Sequence, residues 1–269
     1  MNKTTINRYY LYKYVSEHIE QYDNMFRNIE FIKSIFFNSA SLIADMEESL
    51  NDGLNKGFFE FEKFFDRNVR SLSNDTFKEN ILGKYRKRLH DSEGKKEFDN
   101  SFNGWLSFLI SSIAKYQNTV LEKNYKEHLQ ETIETTDYKK MPKTFLSYAF
   151  DDKGLSFALY LYFLNHGGFL FVDWMWNGRI TNSHLLKETI SNEIKTSNQF
   201  LFVRTTASEL KVKGNYTIRQ WCSWEIGNFY DVNKDNKFMI AFYDPNTNNQ
   251  ILETFKIMKD VEKGNIIPA

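Results

Sequence analysis

The sequence predicts two parts of different fold class: an all-α helical bundle over residues 1–140 and an α/β domain with a parallel sheet over 141–269. All three prolines lie at or after Pro142, so none interrupts long helices before that point. Apolar residues in the first part recur every three or four positions, which indicates helices. In the second part, short apolar runs alternate with helical segments, which indicates βαβ units and hence a parallel sheet.

Three helical patterns of apolar residues in the first part predict a bundle of three to five helices. The patterns are Leu11, Val15, Ile19, Tyr22, Phe26, Ile29, Ile32 and Phe36; then Leu54, Phe58, Phe61, Phe65, Val69 and Leu72; then Leu106, Ile110, Ile113, Val120, Leu129 and Ile133. The polar stretch Ser73–Gly104 is expected to form a helix and a loop on the bundle surface. The bundle contains no metal-binding motif and no repeat period, so its sequence does not indicate a function.

In the second part, the polar segment Thr136–Pro142 marks the domain boundary. The predicted strands are Lys143–Phe150, Phe169–Trp174, Gln199–Val203 and Lys237–Tyr243. Helices are expected from Asp151 to Leu164, from Asn182 or Ser183 to Thr196, from about Thr217 onward, and from Gln250 to Val261.

The composition excludes several classes of function. Because 35 basic residues balance 35 acidic ones, the chain has no field that would attract nucleic acid or an anionic membrane. Cys222 is the single cysteine, which excludes an internal disulfide and fits a reducing compartment. There is no apolar signal segment near the start and no run of ~18 apolar residues. We therefore expect a soluble cytoplasmic protein, and the abundance of Asn, Lys, Ile, Phe and Tyr suggests a bacterial, AT-rich genome.

The stretch Ile218–Tyr230 combines aromatic residues, a thiol and one carboxylate. If it is helical, Trp221 and Glu225 are four residues apart and share a face, so an indole and a carboxylate open onto one pocket. The alternative is a solvent-exposed glutamate early in a helix, where the helix dipole favours acidic residues.

Four blocks of the second part resemble the Toll/interleukin-1 receptor (TIR) domain family, in the same order. Trp221-Cys-Ser-Trp-Glu225 resembles the third-helix motif, whose glutamate is the catalytic residue of enzymatic members. Phe145–Asp151 is similar to the opening strand, Phe171–Ile180 to the second strand and the mobile BB loop, and Leu186–Val203 to the helix and strand before the active-site loop. The resemblance implies a flavodoxin-like fold over residues ~143–262.

The chain departs from the family in two places. Arg219 stands where the family often has a serine, two positions before Trp221. The segment after Tyr243 is short, so only Asn265–Ile267 is left to form a fifth strand.

The resemblance implies cleavage of the nicotinamide–ribose bond of NAD+, with Glu225 as the catalytic residue. Nicotinamide leaves a cationic pyridinium as a neutral base, so no second carboxyl group is needed to protonate it. One carboxylate suffices to stabilise positive charge on the anomeric carbon. NAD+ would be a substrate and not a bound cofactor, since Gly167-Gly168 does not make a GxGxxG pattern, and no metal is expected. Hydrolysis to ADP-ribose and cyclisation to a cyclic ADP-ribose isomer both remain open.

The residues expected to bind the substrate surround this glutamate. They are Tyr148, Ala149 and Phe150 at the carboxyl end of the first strand, Asp173, Trp174 and Asn177 in the BB loop, and Trp221 and Cys222 beside the glutamate. Phe150 and Trp221 could instead be core residues, and Trp174 could contact a neighbouring subunit. Cys222 is expected to be a small buried filler and not a nucleophile.

The resemblance also implies a homo-oligomer, assembled through the BB loop and the helical bundle, that serves in bacterial anti-phage defence. A phage-derived activator and a downstream effector are possible partners. Two other hypotheses stay open: a non-enzymatic TIR interaction module, and another nucleoside-processing enzyme on the same fold.

Overall fold

A computed structural model describes residues 8–51, 67–89, 102–126, 141–176, 183–212, 215–232 and 239–243. They belong to two compact units, Arg8–Tyr125 and a second that begins at Lys126. Most of the predicted boundary segment, the first four of the six residues in the second helical pattern, the helix from Gln250 and the strand at Asn265–Ile267 lie outside the described residues. Within the described ranges, no helix has the length and apolar character needed to cross a membrane.

The first unit is helical over its described residues, as predicted. Its elements are α1 (Arg8–His18), a 3₁₀ turn (Ile19–Tyr22), α2 (Ile29–Asn51), α3 (Asp75–Leu89) and α4 (Phe102–Asn124). Helix α2 packs against α1 and α4, and α4 also packs against α3. The buried apolar side chains at their contacts include Leu11, Val15, Ile32, Ile35, Phe36, Phe77, Ile81, Leu109 and Ile113. The spacing of these residues matches the helical pattern of the sequence.

The first apolar pattern spans two helices, because a turn separates α1 from α2. Asn28 has a φ of 53°, a left-handed conformation that asparagine tolerates better than most residues. Its side-chain Nδ2 donates to Asn124 Oδ1 at 2.7 Å, and the Arg27 backbone N–H donates to the Asn124 carbonyl at 2.7 Å. The sequence did not reveal this turn, since apolar residues keep helical spacing across it and no proline or glycine marks it.

We expect Asn124→Ala to lower the free energy of unfolding by about 1–3 kcal/mol. Asn124 is buried, and its own Nδ2 also donates to the Val120 carbonyl at 2.8 Å. Removing the amide therefore leaves the turn at Asn28 without its side-chain acceptor. Urea denaturation followed by circular dichroism measures the loss. Thr119→Ala, on the exposed side of the same helix, should stay within about 0.5 kcal/mol of the parent chain; an equal loss in both variants would contradict the expectation.

The second unit has the α/β architecture that the sequence predicts. Its elements are β1 (Lys143–Ser147), a 3₁₀ turn (Phe150–Asp152), α5 (Lys153–Asn165), β2 (Phe169–Phe171), α6 (Asp173–Trp176), α7 (Ser183–Thr196), β3 (Gln199–Arg204), a 3₁₀ turn (Thr206–Ser208), β4 (Glu209–Val212), β5 (Asn215–Ile218), α8 (Gln220–Val232) and β6 (Met239–Tyr243). Strands β2, β1, β3 and β6 form a parallel sheet in that order, and β4 and β5 form a separate antiparallel hairpin.

The strand order reverses direction at β1, which pairs with β2 on one side and β3 on the other. In open α/β sheets, ligands bind outside the carboxyl ends of the two strands that flank such a switch point. Here those ends are Ser147 on β1 and Arg204 on β3, and Ser147 is in register with Phe202. The topology therefore predicts a ligand site at the carboxyl end of β1.

Aromatic side chains connect three strands of the sheet to helix α8. The ring centroids of Phe145 and Phe171 are 5.6 Å apart, as are those of Phe145 and Phe200. Phe229 of α8 lies 4.9 Å from Phe200. Because this row of phenylalanines is buried, α8 is held on the sheet by apolar packing.

Several predicted boundaries were wrong. Strand β1 ends at Ser147 and not at Phe150, and β2 ends at Phe171, because Asp173–Trp176 forms a short helix. Helix α8 begins at Gln220, since Thr217 belongs to β5. The β4–β5 hairpin was not predicted at all. Its sequence signal is short, two runs of four residues separated by two residues, and the sequence analysis assigned this stretch to the connection before the motif helix.

Candidate functional site

Glu225 lies on the buried face of α8, against the carboxyl end of β1. It shares that face with Cys222, Ile226 and Phe229, and its exposed fraction is 3%. Ser147 donates its hydroxyl hydrogen to Glu225 Oε2 at 2.5 Å. These contacts rule out the alternative of a solvent-exposed glutamate early in a helix.

The thiol of Cys222 reinforces the contact between α8 and β1. Its Sγ lies 3.6 Å from the Tyr148 carbonyl oxygen, to which it donates a weak hydrogen bond. Burial, followed by the nearby Glu225 charge, raises the pKa of Cys222 to about 12. The thiolate is the nucleophilic form, so this shift disfavours nucleophilic chemistry, and the buried Cys222 packs between α8 and β1.

A second carboxyl group, that of Asp173, approaches the same end of β1 from α6. Tyr148 donates its hydroxyl hydrogen to Asp173 Oδ1 at 2.5 Å, and the Trp174 backbone N–H donates to the same oxygen at 2.8 Å. Ser147 and Tyr148 are neighbours in the chain, and each binds one carboxyl group. The end of β1 thus joins two acidic residues that are 52 positions apart in the sequence.

Burial raises the pKa of the Glu225 carboxyl well above its usual value of 4.5. The hydrogen bond from Ser147 opposes this shift, the charge of Asp173 adds to it, and a hydrogen bond from the Trp221 side chain opposes it. A buried carboxyl group with too few donors prefers its neutral form. Glu225 therefore holds its proton to a higher pH than an exposed glutamate does.

The pKa values of Asp173 and Tyr148 are also raised, and loss of water is the first cause for both. For Asp173 the shift is opposed by the hydrogen bonds from Tyr148 and the Trp174 N–H and by the charge of Lys153. For Tyr148 the negative charges of Asp173 and Glu225 add to the effect of burial. Clustered groups with perturbed pKa values in one crevice are a mark of functional sites.

Phe150 and Trp174 lie beside a buried lysine. The Lys153 Nζ atom is 3.9 Å from the centroid of the Phe150 ring and 5.8 Å from that of Trp174. The exposed fraction of Phe150 is 66%, so the alternative that it is a core residue was wrong. Trp174 is half-buried, and its indole N–H donates to Ser156 Oγ at 2.9 Å. The two rings thus border a cationic group at the start of α5.

Trp221 and Trp224 form an aromatic pair at the start of α8, with ring centroids 5.3 Å apart. Both are half-buried, so each keeps part of its surface open to solvent. Trp221 packs against Trp224 and lies close enough to Glu225 to lower the pKa of its carboxyl. An indole adjoining a carboxyl group is the arrangement that the four-residue spacing predicted.

The loops that follow β1 and β3 are joined by a buried polar contact. Thr205 donates its hydroxyl hydrogen to Asp152 Oδ2, and the Ser208 hydroxyl oxygen accepts the Thr205 backbone N–H at 3.0 Å. All three residues are buried. This contact fixes the two sides of the switch point relative to each other, which pre-organises any site built there.

The structure thus gathers most of the predicted site residues at one edge of the sheet. Tyr148, Asp173, Trp221 and Cys222 lie around Glu225, and the buried Ala149 closes the turn after Tyr148 by accepting the Asp152 N–H at 2.8 Å. Phe150 and Trp174 lie by Lys153. Asn177 lies outside the described residues.

Comparisons with protein-family models, with curated proteins and with solved structures found no match. Among the described residues, no group of three or more His, Cys, Asp or Glu side chains could hold a metal ion.

Sequence reasoning missed Ser147, Lys153 and Ser156 as members of the site. Ser147 stood inside a recognised block, Phe145–Asp151, and its position at the end of a strand was the available signal. Lys153 and Ser156 carried no signal of their own. Their contacts depend on how α5 packs beside α6, which spacing along the chain does not encode.

We expect Glu225→Gln to stabilise the second unit, and the gain to grow with pH. The folded-state pKa of Glu225 is raised, so its contribution to stability is present below the unfolded pKa near 4.5 and is lost as pH rises through the folded pKa. Glutamine removes this loss, which amounts to about 1.4 kcal/mol for each unit of pKa shift. Tm measured by tryptophan fluorescence at pH 5 and pH 8 tests the trend, since four of the five tryptophans lie in this unit.

Glu188→Gln on the exposed face of α7 is the matched control, and its effect on Tm should be small at both pH values, because its contact with His184 at 3.6 Å is a surface pair. A Glu225→Gln variant that loses stability as pH rises, relative to the parent chain, would show that Glu225 is ionised and well solvated in the folded protein.

Proposed function

We propose that the chain is an NAD+-cleaving enzyme of the TIR type, a flavodoxin-like α/β domain that breaks the bond between nicotinamide and ribose. The observation that carries the proposal is Glu225: a carboxyl group bound by Ser147, next to an indole, at the carboxyl end of β1 beside the switch point of the sheet. A buried glutamate with only these donors is costly to keep, and proteins retain such groups mainly at functional sites.

In the proposed reaction the C–N bond breaks and its electron pair goes to the nicotinamide nitrogen, which becomes neutral. Positive charge develops on the anomeric carbon and ring oxygen of the ribose. The Glu225 carboxylate, oriented by the Ser147 hydroxyl, stabilises that charge in a site from which water is largely excluded. Water then adds to the carbon and loses a proton to give ADP-ribose, or an adenine nitrogen adds to give a cyclic isomer.

The aromatic residues supply surfaces for the two bases of the dinucleotide. Trp221 borders Glu225, and Phe150 and Trp174 flank Lys153. Stacking of a planar base on such rings contributes about 1–3 kcal/mol per base. A pocket that holds adenine near the ribose while excluding water favours cyclisation over hydrolysis.

We propose further that the chain acts as a homo-oligomer in the bacterial cytoplasm, as part of anti-phage defence, with a phage-derived activator and a downstream effector of its product. The role of the helical unit in sensing or assembly is supported by an open groove of about 690 Å³ between α1 and α2. Lys13, Lys33, Glu17 and the exposed Phe37 line it, so it offers both charge and apolar surface to a partner.

The experiment that tests the proposed function is an NAD+ turnover assay. The chain is incubated with NAD+ over a range of protein concentrations, with and without lysate from phage-infected cells, and the products are resolved by chromatography and mass spectrometry. Release of nicotinamide supports the proposal. Intact NAD+ under every condition that assembles the protein would favour the non-enzymatic interaction module. Turnover of free nucleosides or deoxynucleosides would favour the nucleoside-processing alternative.

A further inference from the structure

We infer that Asp173 is a positioning residue that keeps a proton on Glu225 until a cationic pyridinium ring enters, so that the site selects oxidised over reduced nicotinamide nucleotides. The inference deepens the proposed function and depends on it for the identity of the ligand. It assigns Asp173 a role through Tyr148 and Glu225, in place of the direct substrate contact expected from the sequence.

The two carboxyl groups differ in the donors that hold them. Asp173 accepts hydrogen bonds from the Tyr148 hydroxyl and the Trp174 N–H, and it interacts with the charge of Lys153. Glu225 is more deeply buried and accepts a hydrogen bond from the Ser147 hydroxyl. Asp173 is therefore the better stabilised anion of the pair, and Glu225 is the member that retains the proton.

The other charged and titratable groups at this edge of the sheet come from the segment that follows β1, from β3, and from α8 with the residue before it. Tyr148 and Lys153 follow β1, Cys222 lies on α8 beside Glu225, and Arg219 precedes α8 and pairs with Asp151 at 3.8 Å. On β3, Arg204 is buried at the end of the strand. Helix α7 meets α8 through a neutral contact, in which Asn228 Nδ2 donates to Ser191 Oγ at 2.8 Å. Lys153 acts on Asp173, so this cation favours leaving the proton on Glu225 and not on Asp173.

A pyridinium ring placed beside Glu225 changes this balance. Its positive charge favours the carboxylate, so the Glu225 O–H bond breaks, the carboxylate keeps the electron pair and the proton leaves for the solvent. A neutral dihydronicotinamide ring brings no charge, so Glu225 keeps its proton. Binding of the cationic ring is thereby linked to proton release, and its affinity should rise with pH by up to about tenfold per pH unit.

The test compares carbocyclic NAD+ with its reduced, carbocyclic NADH form on the unmodified chain. In both, a CH₂ group replaces the ring oxygen of the nicotinamide ribose, so no oxocarbenium ion forms and the ligand is not cleaved. Titration calorimetry in two buffers of different ionisation enthalpy counts the protons released. We expect release on binding the oxidised ligand, tighter binding of that ligand at higher pH, and neither effect with the reduced ligand. Equal proton release and equal affinity for the two ligands would overturn the inference without any variant.

The role of Asp173 is tested in the unliganded protein, independently of NAD+. Infrared spectroscopy follows the C=O band of a protonated carboxylic acid, and Glu225→Gln identifies the contribution of Glu225. Asp173→Asn should move the midpoint of this band to lower pH, Asp173→Glu should leave it near the parent value, and the exposed Glu188→Gln should not change it. An unchanged midpoint in Asp173→Asn would overturn the inference even if NAD+ is cleaved. If the midpoint shifts as expected but NAD+ is not cleaved, the effect of Asp173 on the protonation of Glu225 is supported and the proposed function is rejected.

Discussion

Glu225→Gln is expected to slow nicotinamide release from NAD+ by about 10³-fold or more, because the amide cannot supply the negative charge that the oxocarbenium-like transition state requires. Glutamine has nearly the same volume, and its carbonyl oxygen can still accept the Ser147 hydroxyl hydrogen. The loss should therefore fall on the rate of bond cleavage and much less on substrate binding. Single-turnover assays of nicotinamide release measure it.

A loss of activity caused by unfolding can be distinguished from one caused by the missing carboxylate. The substitution is expected to stabilise the second unit above pH 5, so an inactive but more stable variant indicates a chemical role. Glu188→Gln is again the control, since its carboxyl group is exposed on α7. If Glu225→Gln cleaves NAD+ at the parent rate, the carboxylate has no part in the reaction and the proposed mechanism fails.

Phe200→Ala is expected to lower the free energy of unfolding of the second unit by about 3–5 kcal/mol. Phe200 is completely buried in β3, between Phe145 of β1 at 5.6 Å and Phe229 of α8 at 4.9 Å. Truncation opens a cavity under the helix that carries Glu225, which the surrounding side chains fill only in part. Because natural domains are stable by about 5–15 kcal/mol, this loss would leave the unit close to unfolding.

Guanidinium denaturation followed by tryptophan fluorescence measures the loss, and activity should fall with it because α8 depends on this packing. Phe200→Leu keeps most of the volume and should lose less stability. Phe150→Ala is the matched control: the same truncation at an exposed phenylalanine should change stability by about 1 kcal/mol or less. If Phe200→Ala loses no more stability than Phe150→Ala, the phenylalanine row does not anchor α8.

The sequence by itself determined the class of each part of the chain. Apolar spacing identified the helices of the first unit, and the runs at Phe145, Phe169, Phe200 and Met239 identified the four strands of the parallel sheet. Spacing also placed Trp221 and Glu225 on one face of a helix. These features are local: they depend on the periods of a helix or a strand, which a single stretch of sequence records.

Only the tertiary structure decided which way that face points and what meets it there. Glu225 shares the α8 stripe with Cys222, Ile226 and Phe229, and the packing of Phe229 on Phe200 turns the stripe, and the carboxyl group with it, toward Ser147. Two other contacts likewise depend on how separate elements pack together. Asp173 pairs with Tyr148, and Lys153 lies beside the rings of Phe150 and Trp174. The periodicity of one helix is the same whichever neighbour it packs against, so burial and partners are set by the assembled sheet and helices and not by any one stretch of the chain.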